Sequence, residues 1–396
     1  MNRELLKTFQ SRLDPRTAQA LEGAVDAMVA AKERGGKIVV ACGSGPNLHE
    51  GVTTLIAHLM DKGIIDGVTT SSAVIGHEMA GCLDEVKMCS SRELGFDDQD
   101  MPRGEVFEFT QLTPEALAAV KAFMPLDDDL MARGQKAAGH TVIKAAGNMA
   151  YPMGLYNETL ATEIGSIARH YGIPFEQVAG WGADRRTMIG IGAEKGLPVL
   201  VSIPQMVGGG AIGLEIGDSI SIANRSARLA SMLESADVII ESAIALSQEL
   251  HDGPFEKYTG HGIWSWWRGL HTFNLRGKRL IRLDLDENLR RACDAQEAMQ
   301  KAIEQGLPKT KVSGIPFRME MSAFARHEGS IPLIGDIGEL WPLLALKTAE
   351  RLGIDLEFMS YKQETDEGKA LRRWIVDQIK PIDVSRLREK ARQFRL

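Results

Sequence analysis

Three short segments rich in glycine and hydroxyl side chains could hold a phosphate group. The segments are Gly43-Ser44-Gly45 with Asn47, Thr70-Ser71-Ser72, and Gly208-Gly209-Gly210. Glycine lets backbone N–H groups approach an anion closely, and a helix that begins directly behind such a turn adds a partial positive charge. Each segment taken singly is also compatible with a tight turn or, for the triple glycine, with a lid. Together they predict a site for a phosphate-bearing cofactor.

Ionisable side chains follow two of these segments. His77 is a candidate acid or base, and Glu78 beside it could orient the imidazole or bind a ribose. The alternative for this pair is an exposed helix start, where the helix dipole favours a carboxylate. Glu215 and Asp218 come after the triple glycine and could bind a cationic amine, although Asp218 could instead cap a helix that begins at Ser219. We predict catalytic roles for these four residues.

A tryptophan-rich run supplies a third kind of candidate. The stretch from Gly262 to Trp267 holds three tryptophans, and His261 precedes it. Aromatic walls suit an amine or a nicotinamide ring, so we predict that His261, Trp264 and Trp267 bind substrate. The alternative is a hydrophobic plug beneath a long loop. The sequence has no HExxH or paired Cys/His spacing, no GxSxG elbow and no P-loop, so we predict no metal site.

The elements that must position these residues alternate along the chain. Short apolar runs predict strands over 37–42, 65–70, 198–202, 236–240, 279–283, 331–334 and 354–358, with amphipathic helices between them, such as 15–33, 219–233 and 338–352. This alternation predicts an α/β fold with a doubly wound, mainly parallel sheet. Ligands bind beyond the carboxyl ends of the strands in such sheets, which is where the three glycine- and hydroxyl-rich segments fall.

The organisation of the chain follows from the same pattern. We predict a helical lead-in over 1–36, an α/β core over 37–250 and a C-terminal part over 251–396 that completes the core. The polar stretch 84–135 is interpreted as an insertion over the sheet. The stretch 251–278 is interpreted as a long ordered loop, and ordered loops of this length usually have a function.

Composition limits the classes of partner. The chain has 396 residues, of which 44% are hydrophobic and 25% charged, and its formal net charge is −7. The acidic balance argues against a nucleic-acid surface or an anionic membrane. The four cysteines form no CxxC pair, which favours reduced thiols. The sequence shows no apolar run long enough for a membrane span and no signal core, so we expect a cytoplasmic protein.

Several of these motifs resemble the deoxyhypusine synthase superfamily. The resemblance lies in the run from Gly43 to Leu48, the segment from Ile64 to Ala73 with His77-Glu78, and Gly147-Asn148-Met149 with Pro152 and Tyr156. It extends over roughly 37–245, through Gly196 to Leu200 and the glycine-rich loop that follows. Archaeal-type ornithine cyclodeaminase shares that fold, and the pair His77-Glu78 is similar to a His-Asp element in it.

This resemblance implies a deoxyhypusine synthase-like, Rossmann-like NAD-binding fold. It implies NAD as the cofactor, with Asn148 among the residues that bind it, and a transient oxidation of an amine. It also implies a homo-oligomer, a dimer or tetramer, with active sites near a subunit interface. The family's catalytic lysine context and its Gly-Gly-Gly-Val-Val-Lys-His-His loop are absent, so aminobutyl transfer to a protein lysine is not expected.

The sequence therefore predicts an NAD-dependent enzyme of transferase, lyase or cyclodeaminase type that acts on a small amine or amino acid. Hydride would leave the carbon that bears nitrogen, and the imine would then eliminate, cyclise or be attacked. Two alternatives stay open. One is an NAD-dependent lyase or hydratase acting on a substrate that is not an amine. The other is an NAD or nucleotide sensor without catalysis.

Overall fold

The architecture is that of a computed structural model, which describes residues 1–43, 45–97, 99–101, 105–147, 149–242, 250–251, 253–307, 314 and 319–394. The strands in these ranges are β1 Ile38–Cys42, β2 Gly67–Thr70, β3 Leu83–Ser90, β4 Val106–Thr110, β5 Gly139–Ala145, β6 Val199–Val201, β7 Val238–Ser242, β8 Arg279–Asp284 and β9 Ser330–Ile334.

Helices surround the strands. Those of the described residues are α1 Arg3–Arg12, α2 Pro15–Glu33, α3 Pro46–His49, α4 Val52–Asp61, α5 Ser72–Met79, α6 Pro114–Phe123, α7 Asp128–Lys136, α8 Met153–Tyr171, α9 Phe175–Gly182, α10 Met188–Lys195, α11 Ala211–Ser219, α12 Ile222–Ser235, α13 Gly262–Trp267, α14 Asn288–Asp294, α15 Gln296–Glu304, α16 Met319–Arg326, α17 Ile337–Leu352, α18 Asp366–Gln378 and α19 Val384–Gln393. Two 3₁₀ turns, Ile203–Gln205 and Val207–Gly209, lie between β6 and α11.

Six of the strands form one parallel sheet in the order β6-β2-β1-β7-β8-β9. The chain adds strands outward from β1 on one side, then returns to pair β7 with β1 and continues outward on the other side. Strand order therefore reverses between β1 and β7, where Cys42 is in register with Ser242. This confirms the predicted α/β class with a parallel, doubly wound sheet.

The central strands are buried on both faces, which explains their continuous apolar runs. All five residues of β1 and all five of β7 are buried. Successive side chains of β1 point to opposite faces, so Val40 packs in one core and Val39 in the other. Helices on both faces complete these two cores.

Two expectations about individual segments were wrong, and a third segment contains a sheet that the sequence did not predict. The stretch 354–358 forms no strand, because Leu356 is buried against the helical layer rather than paired in the sheet. The stretch 84–135 contains most of a second, antiparallel sheet with the order β4-β3-β5, and its polar composition reflects a sheet with a partly exposed face. The predicted helix from Ser219 begins only at Ile222, where the Ser221 hydroxyl caps it by accepting the Asn224 N–H at 3.2 Å.

The described residues of the stretch 251–278, namely 251 and 253–278, include a short helix, α13. The buried Glu256 carboxylate organises it by accepting N–H groups from Tyr258 at 2.6 Å, Gly260 at 3.0 Å and Leu275 at 3.1 Å. A charged acceptor for several backbone donors fixes the path of a loop that forms no sheet ladder.

The described helices include none that is both long and apolar enough to cross a bilayer. The four cysteines are free thiols, and Cys42, Cys82 and Cys89 are buried.

A buried ion pair holds the open edge of the parallel sheet at β6. Glu176 accepts the Val201 N–H at 2.7 Å, and Arg225 donates to the Val201 carbonyl at 3.3 Å, so the two side chains satisfy the backbone groups that a further strand would pair. The ions meet each other at 2.5 Å, and neither side chain is accessible to solvent. Arg225 also donates to the Ile216 carbonyl at 3.0 Å, which ties the end of α11 to the same point.

We predict that Arg225→Met lowers the free energy of unfolding by about 3–5 kcal/mol, because it leaves the Glu176 carboxylate buried without its cation. Urea denaturation measures this change. The matched control is Arg351→Met, which removes an exposed pair with Asp26 and should cost less than about 1 kcal/mol. Equal losses in the two variants would contradict the role assigned to the buried pair.

Candidate functional site

The three glycine- and hydroxyl-rich segments lie at the carboxyl ends of adjacent strands β1, β2 and β6. Hydrogen bonds join the three ends directly. The Thr70 hydroxyl donates to the Cys42 carbonyl at 2.5 Å, which links β2 to β1. The Ser72 hydroxyl donates to the Gln205 carbonyl at 2.9 Å and accepts the Gly209 N–H at 2.8 Å, which links β2 to the loop after β6. The fold thus brings together, at one edge of the sheet, segments whose residues lie up to 167 positions apart in the sequence.

Two of these loops end in the same unusual backbone conformation. Gly45 has φ 66° and ψ −123°, and Gly210 has φ 62° and ψ −134°, a region that side chains rarely tolerate. Each glycine is the N-cap of the next helix, α3 or α11, and no side chain caps either helix. By contrast, the Ser71 hydroxyl caps α5 by accepting the Val74 N–H at 3.3 Å. The first-turn N–H groups of α11 therefore have no side-chain acceptor. In α3, Pro46 has no N–H, and Leu48 and His49 donate to the Gly45 carbonyl at 3.0 and 3.2 Å.

A buried polar link closes the point where strand order reverses. The Asn47 amide donates to the Ser242 carbonyl at 2.8 Å and accepts the Ser242 hydroxyl at 2.7 Å. The indole N–H of Trp341 donates to the same hydroxyl at 2.9 Å. The Asn47 side chain, predicted to bind cofactor, is thus occupied by β7 and holds the β1 loop in place. Ser242 and Trp341 carried no motif in the sequence.

His77 lies in the last turn of α5 and not at a helix start, and it is 7% exposed. Its Nδ1 lies 2.7 Å from the Ala146 carbonyl, which fixes Nδ1–H as the donor and leaves Nε2 with a free lone pair. Burial lowers the pKa of His77, the Ala146 carbonyl opposes this, and the charge of Lys144 lowers it further. A neutral imidazole of this tautomer can accept a proton at Nε2.

Glu78 is fully buried in the same turn, and its position contradicts both roles predicted for it. Its two carboxylate oxygens accept the N–H groups of Met188 at 2.9 Å and Ile189 at 3.0 Å. It therefore caps α10 and neither orients His77 nor reaches a ribose. Burial raises the pKa of Glu78 to about 7, against the lowering by the two backbone donors.

The other two predicted catalytic acids, Glu215 and Asp218, do not point their carboxylates toward each other at a common site. Glu215 forms an ion pair with Arg169 at 2.7 Å, on the α8 side of α11. Asp218 is exposed in the last turn of α11, and Ser221 rather than Asp218 caps the following helix. The expectation that these two carboxylates grip an amine has no support in this arrangement, because one is paired and the other faces solvent.

The tryptophan-rich helix also lies away from these loops. Residues that follow α13 bond to groups just before β7, as when Lys278 donates to the Ala236 carbonyl at 2.6 Å, and this is the amino end of the sheet. Trp264 and Trp267 are 59% and 62% exposed, so they form no buried plug, and their binding of substrate stays a prediction. His261 is likewise exposed.

Two predicted cofactor residues, Ser44 and Asn148, lie outside the described residues. The other members of the set, Gly43, Thr70, Ser71 and the triple glycine, occupy the positions already given. Val207–Gly209 forms a 3₁₀ turn bonded to Ser72 and not an unattached lid.

A buried charged cluster lies at the ends of β7 and β8, and no sequence motif pointed to it. Glu241 contacts His251 at 3.2 Å, and Arg282 pairs with Asp284 at 3.0 Å. Within the described residues, His251 Nδ1 and Arg282 Nη1 have no hydrogen-bond partner. Buried polar atoms without a hydrogen bond are costly, and Arg282 Nη1 only faces Glu241 Oε2 at 3.9 Å, so this side of the sheet edge also holds polar groups that a ligand could satisfy.

The fold and site define an open, doubly wound α/β protein with the Rossmann strand order. Counted along the chain, the parallel strands run 3-2-1-4-5-6, and proteins with this order bind nucleotides in the crevice beside the reversal. The glycine turn of β1 lies at that crevice.

Comparisons with known proteins add distant structural likenesses. No protein-family model matches the chain, and no curated protein sequence matches it. A ternary complex of AgrE with ornithine and NAD+ aligns with 86% of this chain and 34% of its own, at 13% identity and a TM-score of 0.42. The complex of an AgrE variant with L-arginine aligns with 86% of this chain and 34% of its own, at 14% identity and a TM-score of 0.41.

A conserved LOR/SDH protein from Methanococcus maripaludis S2 aligns with 86% of this chain and 71% of its own, at 12% identity and a TM-score of 0.42. The two AgrE alignments cover 34% of that protein, so this chain spans about a third of the length of AgrE. At such identities and TM-scores the likenesses carry no argument about function.

We predict that Glu78 makes stability fall as pH rises. Its folded pKa of about 7 lies above the ordinary 4.5, so the folded state binds the proton more tightly. The stabilisation is complete below the unfolded pKa and is lost as pH rises through the folded one, by on the order of 2–3 kcal/mol. Urea denaturation of the wild type and of Glu78→Gln between about pH 5 and pH 8 measures it. A stability difference between them that stays flat or grows with pH would show that the α10 N–H groups outweigh burial.

Proposed function

We propose that this protein is an NAD-dependent enzyme that acts on a small amine or amino acid through transient oxidation. The observation that supports NAD as the cofactor is a pair of helices that begin at glycine N-caps, Gly45 and Gly210. The two glycines flank the hydroxyl segment that follows β2, beside the point where strand order reverses. An uncapped helix start can bind an anion through backbone N–H groups that have no other acceptor. In α3 the supply of such donors is small, because Pro46 has no N–H and Leu48 and His49 donate to the Gly45 carbonyl.

The residues fit a diphosphate. A Cβ placed on Gly45 would have no atom within 4 Å, so space for a ligand lies against that turn. The Gly45 and Gly210 turns would hold the phosphates, and the hydroxyl segment Thr70 to Ser72 lies between them. At Gly210 the Glu158 carboxylate lies 3.3 Å from a Cβ built on the glycine, so a phosphate there would have to displace it. When bound there, NAD would supply a hydride acceptor. Leu48, which replaces the third glycine of the usual fingerprint, is buried, so helix α3 packs through a side chain instead.

His77 is the residue best suited to move a proton. The bond from Nδ1 to Ala146 holds the ring in one tautomer, and the low pKa keeps it neutral, so Nε2 can accept a proton from a substrate ammonium or carbon. The amine half of the proposal is supported by this base and by the motif resemblance around His77. Glu215 and Asp218 no longer support it.

We predict that NAD binds the protein and that Gly45→Ala and Gly210→Ala each weaken binding at least about tenfold, because a side chain strains the turn and fills the approach to the N–H groups. Calorimetry with the full chain measures the affinity. The control is Gly196→Ala, which also introduces a side chain at positive φ (67°) in open space, but at the C-cap of α10.

The control should keep wild-type affinity. Full affinity in the Gly45 and Gly210 variants would remove these turns from the cofactor site. No affinity in the wild type would overturn the cofactor assignment altogether.

We predict that His77→Asn lowers turnover about 100-fold while NAD affinity changes less than about twofold. Asparagine can keep donating to the Ala146 carbonyl but cannot take up a proton. The assay follows NAD reduction by absorbance with L-ornithine or putrescine as probe, per folded molecule. A lower melting temperature with unchanged turnover would make His77 a packing residue. Binding of NAD without reduction by any amine would favour the sensor alternative.

A further inference from the structure

A cavity separate from the carboxyl-edge crevice lies between the antiparallel sheet, α6, the start of α8 and the segment that follows α18. Its volume is about 630 Å³, within the range of small-molecule sites. Most of its wall is apolar and includes Leu112, Val120, Met153 and Ile379. Walls of this kind suit the hydrocarbon part of a ligand.

One carboxylate at this cavity is well placed as an anchor. Asp84 accepts the Gly147 N–H at 3.2 Å, and within the described residues it forms no ion pair. Its cross-strand neighbour Lys144 pairs instead with Glu108 at 2.6 Å. Burial raises the pKa of Asp84 to about 7 although the Gly147 donor opposes this. A carboxylate that lacks a cation in a desolvated position gains most from a cationic ligand.

Most of the remaining charges of the wall have the same sign as Asp84. Glu115 and Asp377 add two carboxylates, whereas Lys380 adds one ammonium. The Lys380 ammonium is held by the Asp377 carbonyl at 2.6 Å. The lining residue Glu85 is neutralised by Arg373 at 2.6 Å. The cavity therefore combines apolar walls with an excess of negative charge.

We propose that this cavity binds an organic cation, a primary amine with an apolar body, whose ammonium pairs with Asp84. The site goes beyond the proposed function and does not depend on it. Asp84 and His77 bond to adjacent residues of one turn, Gly147 and Ala146, and His77 does not line the cavity.

The test uses three probes that share the same six-carbon alkyl chain: hexylamine, hexanol and heptanoate. Calorimetry with the full chain should show hexylamine binding at least about tenfold more tightly than either of the others, since only the ammonium can pair with Asp84. Equal affinities for the three, or no hexylamine binding, would overturn the proposal.

Variants place the binding in the cavity. Asp84→Asn, which can still accept the Gly147 N–H, should lose at least about tenfold in hexylamine affinity, as should Ala116→Phe, which fills the cavity from α6 without changing charge. The control Asp26→Asn removes an exposed carboxylate and should bind as the wild type does.

Thermal unfolding checks that each variant is folded. If Asp84→Asn does not fold, the hexylamine affinity of Ala116→Phe tests the proposal. Wild-type affinity in a folded cavity variant would overturn the assignment. NAD affinity should be unchanged in both cavity variants, which separates this site from the cofactor crevice.

Discussion

The contact between the ends of β1 and β7 is the constraint on which the crevice depends. Later strands are added to the sheet on one side of β1 and on the other side of β7. The loops that leave β1 and β7 therefore diverge and leave an opening between them. Asn47 and Ser242 exchange two buried hydrogen bonds across it, and Trp341 adds a third. Because each partner would be unsatisfied without the others, the link fixes where the glycine turn of β1 begins.

The opposite end of the site depends on a second buried contact. β6 has only three residues, and a short edge strand has little to hold it. Glu176 and Arg225 supply the missing backbone partners, and Arg225 also binds the end of α11, whose start carries Gly210. The two glycine-capped helix starts are thus held at fixed positions by polar groups inside the protein rather than by the loops themselves.

Sequence patterns predicted the parallel sheet because buried strands are short apolar runs and loops are marked by glycine. They also placed the three segments at one edge, since the carboxyl ends of parallel strands must meet there. The sequence patterns wrongly predicted a strand over 354–358. A short apolar run that packs in a core without joining a sheet has the same pattern as a buried strand. They missed the antiparallel sheet because its half-exposed strands are too polar to stand out.

What the sequence determined by itself was the set of elements and the edge at which polar groups gather, because both follow from local periodicity and turn chemistry. The tertiary structure alone decided which side chains are free. Glu78, Glu215 and Asn47 are good ligand types in the sequence, yet each is tied to a group more than 40 residues away: the start of α10, Arg169 and Ser242. The tautomer of His77 is decided in the same way, since only the folded chain brings the Ala146 carbonyl to its Nδ1.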